Sequence, residues 1–331
     1  MGNVTMRDIG RRLGVSAVTV SKALAGKSGV SEDMRRKIVR VAQELGYVNP
    51  QAQGRAVRGL DVGILVPDHY FSPDSFYAMF YKQLVQELTE AGHFGILELL
   101  GQETEAALAL PNLIRSRHVD ALILLGQPRQ DYVRMIARQE TPVVFLDFYD
   151  ESAEADAVVG DNAYGCYRLT SHLIKNGHRD IGFVGNRKAT SSIMDRYLGF
   201  YRAMLMNDLP VREECILIDR DERSQRRPLE LPDKLPTAFV CNCDIVAQWL
   251  IEQLREMGLR VPEDVSVTGF DDYLPSGMSD PALTTFRVDS RAMVQMTVRL
   301  ITERCSGVKK PFGRFVVGGE TIYRNSEIPL K

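Results

Sequence analysis

Charged side chains follow several apolar runs of this sequence, at positions where a small ligand can be held. Asp161 and Asp271 each follow such a run, and Arg196 lies in the helical stretch after the run at 181–184. Ligands of open α/β sheets bind outside the carboxyl ends of the strands. A carboxylate accepts two hydroxyls and arginine donates through a planar fork, which predicts a site for a small polyhydroxylated ligand. The predicted contacts are Phe76, Tyr77, Asp161, Ser191, Ser192, Arg196 and Asp271.

Several of these polar residues have a structural alternative that the sequence leaves open. An aspartate before a helix commonly caps it, and this alternative applies to Asp161. Arg196 inside a helix is alternatively half of a surface ion pair. Asp271 and Asp272 are adjacent, so we expect one carboxylate to face the ligand and the other to face solvent.

Motifs of catalysis and of cofactor binding do not occur in the sequence. There is no Gly-x-Gly-x-x-Gly after the first strand of the body, no P-loop and no Gly-x-Ser-x-Gly. The five histidines show no metal-ligand spacing. We therefore predict no catalytic residue, no metal and no cofactor, and an enzymatic function would depend on the Asp/Arg cluster alone.

The N-terminal segment contains two short amphipathic stretches around a glycine break. Thr5 and Ser16 are placed to cap these stretches, and Gly14 lies between them. Two such helices joined by a three-residue turn with glycine are typical of a helix-turn-helix, whose second helix enters the major groove of DNA. Residues 31–45 predict a third helix, because apolar residues recur there at helical spacing.

The distribution of charge supports a nucleic-acid partner at one end of the chain. Residues 1–60 contain 11 Lys/Arg against 4 Asp/Glu, whereas the remainder contains 30 against 39. A basic module on an acidic body is typical of a DNA-binding protein. No apolar run is long enough to cross a membrane and no signal peptide is visible. The five cysteines lack a C-x-x-C pair, so we expect free thiols and a cytoplasmic location.

The predicted domains are a helix-turn-helix domain at 1–47, a hinge helix or linker at 48–60 and a body at 61–331. In the body, nine short apolar runs alternate with helical stretches, which predicts parallel sheets covered on both faces. Nine strands exceed the needs of one compact sheet, so we expect two lobes, with a crossing at 158–162. The predicted bounds are 61–160 plus 289–317 for the N-lobe and 161–288 plus 318–331 for the C-lobe.

The chain resembles the LacI–GalR family of bacterial transcription regulators over nearly its whole length. The resemblance is strongest in residues 4–24, above all in Gly14-Val15-Ser16 and Thr19-Val20-Ser21. Further similar signatures follow in family order: Val30-Ser31, Leu45-Gly46-Tyr47, Asp161-Asn162, Gly177-His178-Arg179, Arg196-x-x-Gly199-Phe200, Gly269-Phe270-Asp271 and Pro281-Ala282-Leu283-Thr284-Thr285. Several signatures in the right order make the resemblance specific.

The resemblance implies a homodimer that binds a palindromic operator in double-stranded DNA, with one helix-turn-helix on each half-site. Ala17, Val18 and Lys22 would then read bases, through thymine methyls and guanine acceptors. Contacts with phosphates, which set register without reading sequence, would come from Thr5, Ser16, Thr19 and Ser21.

The resemblance also implies a hinge helix whose leucine is inserted into the minor groove. Val57 occupies the position of that leucine, and Gly54 replaces the usual alanine. The hinge of this chain therefore has a smaller wedge on a weaker helix. Asn49 and Arg55 are the other predicted DNA contacts of this segment.

For the body, the resemblance implies a periplasmic-binding-protein-like pair of lobes that holds a carbohydrate or derivative and controls the hinge. Family members often stack an aromatic on the ligand in a segment that here reads Arg220-Asp221-Glu222-Arg223. An anionic sugar derivative is expected if Arg220 or Arg223 faces the ligand, and both are otherwise solvated. The alternatives are a solute-binding protein of the same body fold and a regulator controlled by a protein partner.

Overall fold

The computed structural model describes residues 5–24, 30–31, 34, 37–38, 40–42, 59–221, 224–274 and 281–330. The chain divides into two compact units, Met1–Gly59 and Leu60–Lys331. Each unit is described by itself below. The domain and lobe boundaries given above stay predictions.

Local capping explains where the helices of the N-terminal unit begin. Helix α1 (Met6–Leu13) starts after Thr5, whose backbone N–H and hydroxyl both donate to the Asp8 carboxylate at 2.8 and 2.6 Å. Helix α2 (Ala17–Leu24) starts after Ser16, whose Oγ accepts the backbone N–H of Thr19 at 3.1 Å. Both predicted caps are thus confirmed. Residues 34, 37–38 and 40–42 of the predicted third helix are helical, and the buried side chains of this unit are Ile9, Val20, Ala23, Ile38 and Ala42.

The body begins at Asp61 and alternates strands with helices. Its first part contains β1 (Asp61–Pro67), a 3-10 turn (Asp68–Tyr70), α3 (Phe76–Glu90), β2 (Phe94–Leu100), α4 (Gln102–Ala106), α5 (Asn112–Arg115), β3 (Ala121–Leu125), α6 (Gln130–Ala137), β4 (Val143–Leu146) and β5 (Asp156–Gly160). The second part contains α7 (Asn162–Lys175), β6 (Ile181–Val184), α8 (Ser191–Leu205), a 3-10 turn (Glu213–Cys215), β7 (Ile216–Leu217), β8 (Ala238–Cys241), α9 (Asp244–Glu256), β9 (Ser266–Thr268), β10 (Thr285–Val288), α10 (Ser290–Cys305), β11 (Arg314–Val317) and β12 (Gly319–Ile322).

Two parallel sheets form the framework of the body. The first has the strand order β11-β5-β4-β3-β1-β2 and the second has the order β7-β6-β8-β9. A short antiparallel ribbon joins β10 and β12. Strands β3, β4 and β5 are buried along their whole length, as parallel strands covered on both faces are. We call the part with the first sheet the N-lobe and the part with the second sheet the C-lobe.

Some predicted elements were wrong. The helical pattern of residues 104–116 predicts one helix, but the structure has two short ones, because Pro111 lies before the second and Leu108 has left-handed backbone at φ 50°. The predicted crossing at 158–162 agrees with the structure, because β5 ends at Gly160 in the N-lobe sheet and the next strand, β6, lies in the C-lobe sheet. The sequence pattern predicts a helix at 194–207, but α8 begins at Ser191, because the Thr190 side chain accepts the backbone N–H of Ile193 at 3.2 Å.

Helices α7 and α8 pack closely because a glycine lies at their contact. A Cβ atom at Gly199 would lie 2.1 Å from the carbonyl oxygen of Ala163 and 2.9 Å from the backbone nitrogen of Tyr167. Both clashing groups are backbone, which cannot move aside as a flexible side chain can. Gly199 therefore sets the distance between the two helices that carry much of the C-lobe core.

We expect Gly199→Ala to lower the free energy of unfolding by about 1–3 kcal/mol, the usual cost of overpacking. Urea denaturation followed by circular dichroism measures this change. Gly318→Ala is the matched control, because a Cβ at that position meets no atom within 4 Å. Equal effects of the two substitutions would contradict the close approach of α7 and α8.

Candidate ligand-binding cleft

A cavity of about 560 Å³ lies between the N-lobe and the C-lobe. Its N-lobe wall includes Phe76 and Tyr77 from the start of α3 and Asp147 from the residue after β4. Its C-lobe wall includes Arg196 of α8 and Asp271, which follows β9. The cavity thus lies at carboxyl ends of strands, where the sequence predicts it, and has the size of a small-molecule site.

A more open hollow of about 670 Å³ lies on the C-lobe, with Arg187, Lys188 and Arg227 in its lining. Arg187 already pairs with Glu213 at 2.9 Å and donates to the hydroxyl of Tyr197 at 3.0 Å. The cleft between the lobes is the stronger candidate, because it collects buried charges from both lobes.

Arg196 is the buried cation of the cleft. Its Nε donates to the Asn162 side chain at 2.8 Å, its Nη1 to the Asn242 carbonyl at 2.6 Å and its Nη2 to Asp271 Oδ1 at 2.9 Å. Its guanidinium carbon lies 4.0 Å from the centroid of the Phe270 ring. A guanidinium has five N–H groups, so two remain beyond these three hydrogen bonds for a ligand.

Two carboxylates from opposite lobes lie at the cleft with unusual backbone geometry. Asp147 has φ 70° and Asp271 has φ 98°, a region that non-glycine residues seldom adopt. Such strain persists where the surrounding structure fixes it, and it occurs mostly at binding and catalytic sites. Asp147 and Asp271 are thus two of the seven described non-glycine residues with positive φ, and both line the cavity.

Asp147 is held in an environment that disfavours its charge. Its Oδ2 accepts the hydroxyl of Tyr77 at 2.8 Å, and its side chain is almost wholly buried. Burial raises the pKa of Asp147 to about 6, although the nearby Arg196 cation acts in the opposite direction. Among the described residues no group donates to Oδ1, so that oxygen is open to a ligand hydroxyl.

A second arginine of the cleft has its charge balanced inside the protein. Arg220 donates from Nε to Asp219 Oδ2 at 2.7 Å, and Asp219 is fully buried. Asn242, which also lines the cleft, donates to the same carboxylate oxygen at 3.1 Å. Of the two alternatives left open for Arg220, the structure favours the one in which it lines the cleft, but as half of a buried ion pair. Arg223 lies outside the described residues.

Aromatic side chains form much of the remaining wall. Phe76 and Tyr273 come from opposite lobes and their ring centroids are 5.7 Å apart. Trp249 of α9 also lines the cleft, and the Arg226 guanidinium lies 4.0 Å from its ring centroid. The aromatic that residues 220–223 lack is thus supplied by a helix later in the sequence.

Five of the seven predicted ligand contacts line the cavity, namely Phe76, Tyr77, Ser192, Arg196 and Asp271. Asp161 does not line the cavity. It has the alternative role of a helix cap, because its Oδ1 accepts the Tyr164 backbone N–H at 3.3 Å at the start of α7. Ser191 lies outside the cavity as well, because its Oγ accepts the Tyr149 backbone N–H at 3.1 Å.

Sequence reasoning missed Asp147, Asn242 and Trp249 as lining residues. The first two directly follow β4 and β8, so the strand-end rule could have found them. Trp249 lies in the interior of a helix, and its helical spacing gives no sign that it faces a cavity.

Several hydrogen bonds join the lobes around the cleft. Ser192 Oγ donates to the Asp147 carbonyl at 2.5 Å, and the hydroxyl of Tyr149 donates to Asp195 Oδ1 at 2.9 Å. On the other side, the hydroxyls of Tyr70 and Ser224 are 2.9 Å apart. Any rotation of one lobe against the other must break or replace these bonds.

In the N-terminal unit, α2 presents part of the predicted DNA-reading set to solvent. Val18 is 64% exposed and Lys22 is also exposed, and the two lie four residues apart on one helix face. Ala17, Thr19 and Ser21 are half-buried, whereas Thr5 and Ser16 are exposed caps. Asn49, Arg55 and Val57 of the predicted hinge lie outside the described residues.

The described part of the chain contains no group of three or more His, Cys, Asp or Glu side chains that could hold a metal ion. Among the same residues, none of the helices combines the length and the apolar character needed to cross a membrane.

We expect Asp147→Asn to stabilise the ligand-free protein in a pH-dependent way. The raised pKa means that the folded state prefers the neutral acid, so the free energy of unfolding falls as pH rises from about 4 to about 6. Asparagine cannot ionise, so the variant should exceed the wild type by up to about 3 kcal/mol near pH 8 and by little near pH 4. Urea denaturation at both pH values measures this.

The matched control is Asp74→Asn, which removes an exposed carboxylate of the same cleft wall. An Asp147→Asn effect of equal size at both pH values would show that the buried charge is not its cause.

Comparison with known proteins assigns the family. Residues 5–50 match bacterial regulatory proteins of the lacI family, and residues 170–326 match a periplasmic binding protein-like domain. The HTH-type transcriptional regulator reg1 of Streptomyces lividans is 30% identical over 97% of this chain and 96% of its own length. The HTH-type transcriptional repressor PurR of Actinobacillus pleuropneumoniae is 29% identical, covering 91% and 90% of the two chains. A complex of the transcriptional regulator CelR with cellobiose superposes with a TM-score of 0.69 at 25% identity, covering 98% of this chain and 100% of the other. The chain belongs to the LacI family of bacterial regulatory proteins.

Proposed function

We propose that this chain is a sequence-specific transcription regulator, acting as a repressor, whose operator affinity is controlled by a neutral, hydroxyl-rich ligand held between the lobes. The observation that carries the proposal is the pairing of Arg196 with Asp271, opposite Asp147, inside the cleft between the lobes. The named relatives are transcriptional regulators, and one solved relative is a cellobiose complex.

The charges of the cleft favour a neutral sugar over a sugar phosphate or sugar acid. Arg196 is paired with Asp271 and Arg220 is paired with Asp219. Asp147 is a second carboxylate near Arg196, so that this one cation already faces two carboxylates. Arg226 is exposed above Trp249, at the margin of the cavity. Hydroxyl groups can instead donate to the carboxylates and accept from the remaining N–H groups of Arg196.

Control of DNA binding requires that the ligand favours one arrangement of the lobes. The bonds from Ser192 to Asp147 and from Tyr149 to Asp195 cross between the lobes beside the ligand site. A ligand that bonds to these walls changes the relative free energies of the two arrangements, and typical couplings are about 1–3 kcal/mol. A cytoplasmic solute-binding protein of this fold would have no use for the exposed Val18 and Lys22 of α2.

The proposal predicts a ligand among neutral mono- and disaccharides. At 100 times its Kd, a ligand adds about 2.7 kcal/mol to the free energy of unfolding, which thermal unfolding against a panel detects. The panel also contains sugar phosphates, sugar acids and nucleobases. Arg196→Lys and Asp271→Asn should abolish the response, because each loses a bond or a charge at the site.

Asp161→Asn is the control for the panel, because this carboxylate lies outside the cavity and asparagine also caps helices. A compound that acts through the cleft should still stabilise this variant. It should also change affinity for a palindromic duplex selected from random DNA. A response that survives Asp271→Asn, or a response to anions alone, would overturn the assignment of the ligand.

The proposed operator complex needs a homodimer, and the edge of the N-lobe sheet is the surface that we assign to it. Strand β2 is an edge strand and exposes Phe94, Ile96 and Leu99. An apolar sheet edge is normally covered in a native assembly. A second copy of the chain can cover it, and a dimer supplies one copy of α2 for each half of a palindrome.

Ile96→Asp is expected to shift the protein from dimer to monomer in sedimentation velocity and to weaken operator binding. The control is Val308→Asp, at an exposed apolar position after α10. A dimer that persists unchanged in Ile96→Asp at the same concentration would exclude this edge as the interface.

A further inference from the structure

The C-lobe has an exposed apolar and basic surface on α7 and α8 that neither the ligand nor the proposed dimer uses. We call it the α7–α8 face and define it as Tyr164, Tyr167, Arg168, Leu198, Tyr201, Arg202 and Leu205. Leu205 is 62% exposed, and Leu198, Tyr201 and Tyr164 are exposed as well. Large apolar side chains gathered on one surface mark a site of interaction.

Helical spacing puts these side chains on one surface. Leu198, Tyr201 and Leu205 follow at i, i+3 and i+7 on α8, so they form a single stripe. Gly199 brings α7 against α8, and the Arg202 guanidinium lies 5.0 Å from the ring centroid of Tyr167 across the contact. The stripe of α8 therefore continues onto the tyrosines of α7.

The charge of the α7–α8 face is opposite to that of the body. Arg168 lies 5.9 Å from the ring centroid of Tyr164, and within the described residues no carboxylate forms an ion pair with Arg168 or Arg202. The chain after residue 60 has an excess of acidic residues. Tyrosine and arginine are the residues most enriched at the energetic centres of protein interfaces.

We propose that the α7–α8 face binds an acidic amphipathic helix of another protein. Leucines of such a helix would pack on the stripe, and its glutamates would pair with Arg168 and Arg202. A second copy of this chain fits less well, because a twofold contact would bring arginines against arginines. Nucleic acid fits less well because the face has only two arginines for its phosphates.

The test uses the full chain and a fluorescent helical peptide of about 18 residues, long enough to span the stripe. The peptide has leucines at helical spacing and glutamates beside them, and a matched peptide has lysine in place of every glutamate. Anisotropy should show binding of the acidic peptide and not of the basic one. Leu205→Asp, and the double variant Arg168→Glu with Arg202→Glu, should each weaken binding by about tenfold or more.

Charge reversal provides the sharpest arm of the experiment. The double glutamate variant should gain affinity for the basic peptide, which a merely structural defect cannot produce. It also keeps the test decisive if Leu205→Asp fails to fold, because both arginines are exposed. Arg138→Glu and Val308→Asp change exposed residues elsewhere and should leave peptide binding unchanged.

Three results would overturn the proposal. The first is that the acidic peptide does not bind, or binds equally well to the face variants. The second is self-association of the wild type that Leu205→Asp abolishes in sedimentation velocity, which would assign the face to a second copy. The third is tighter binding of a random single-stranded RNA than of the peptide, lost in the double glutamate variant. None of these results depends on the ligand or the operator proposed above.

Discussion

Arg196 joins α8 to three other segments of the C-lobe through one buried guanidinium. Its partners are the side chain at the start of α7, the carbonyl after β8 and the Asp271 carboxylate after β9. A charged group is tolerated in the interior only where its donors are bonded and its charge is balanced. The positions of these segments are therefore tied to one cation, and removing it would leave Asp271 buried without its partner. The shape of the C-lobe wall follows from this requirement.

The Arg196 cation also affects the pKa values of both carboxylates of the cleft. Asp271 is bonded to Arg196 directly, whereas Asp147 approaches from the other lobe and has Tyr77 as its donor. Burial raises the pKa of both carboxyl groups, and Arg196 opposes the rise in each case. A hydroxyl-bearing ligand that donates to Asp147 Oδ1 would add a second hydrogen bond to the one from Tyr77. Ligand binding and the ionisation of Asp147 are consequently linked.

Periodicity and strand-end position predicted the framework of the site from the sequence. Continuous apolar runs predicted β1, β3 and β6, because both faces of these strands are buried. Asp271 was predicted as a ligand contact because it follows a strand. The parts of the site that the sequence did not predict depend on hydrogen bonds and packing that only the folded structure shows. The sequence fits Asp161 either as a ligand contact or as a helix cap. Its hydrogen bond with the Tyr164 backbone N–H makes it a cap. Trp249 reaches the cleft because α9 packs beside β8 and β9, which no local pattern encodes.

Helix α8 lies between the ligand site and the surface. Its inner side contains Ser192 and Arg196, and its outer side carries the stripe of Leu198, Tyr201 and Leu205. Three residues near its start, Ser191, Ser192 and Asp195, bond to the N-lobe. A helix moves nearly as a rigid body within a close-packed lobe, so a rotation that breaks these bonds also carries the outer stripe relative to the N-lobe. Coupling between two sites is reciprocal. A partner that binds the stripe with different affinity in two lobe arrangements must therefore change the affinity for the ligand. The ligand must change the affinity for the partner by the same factor.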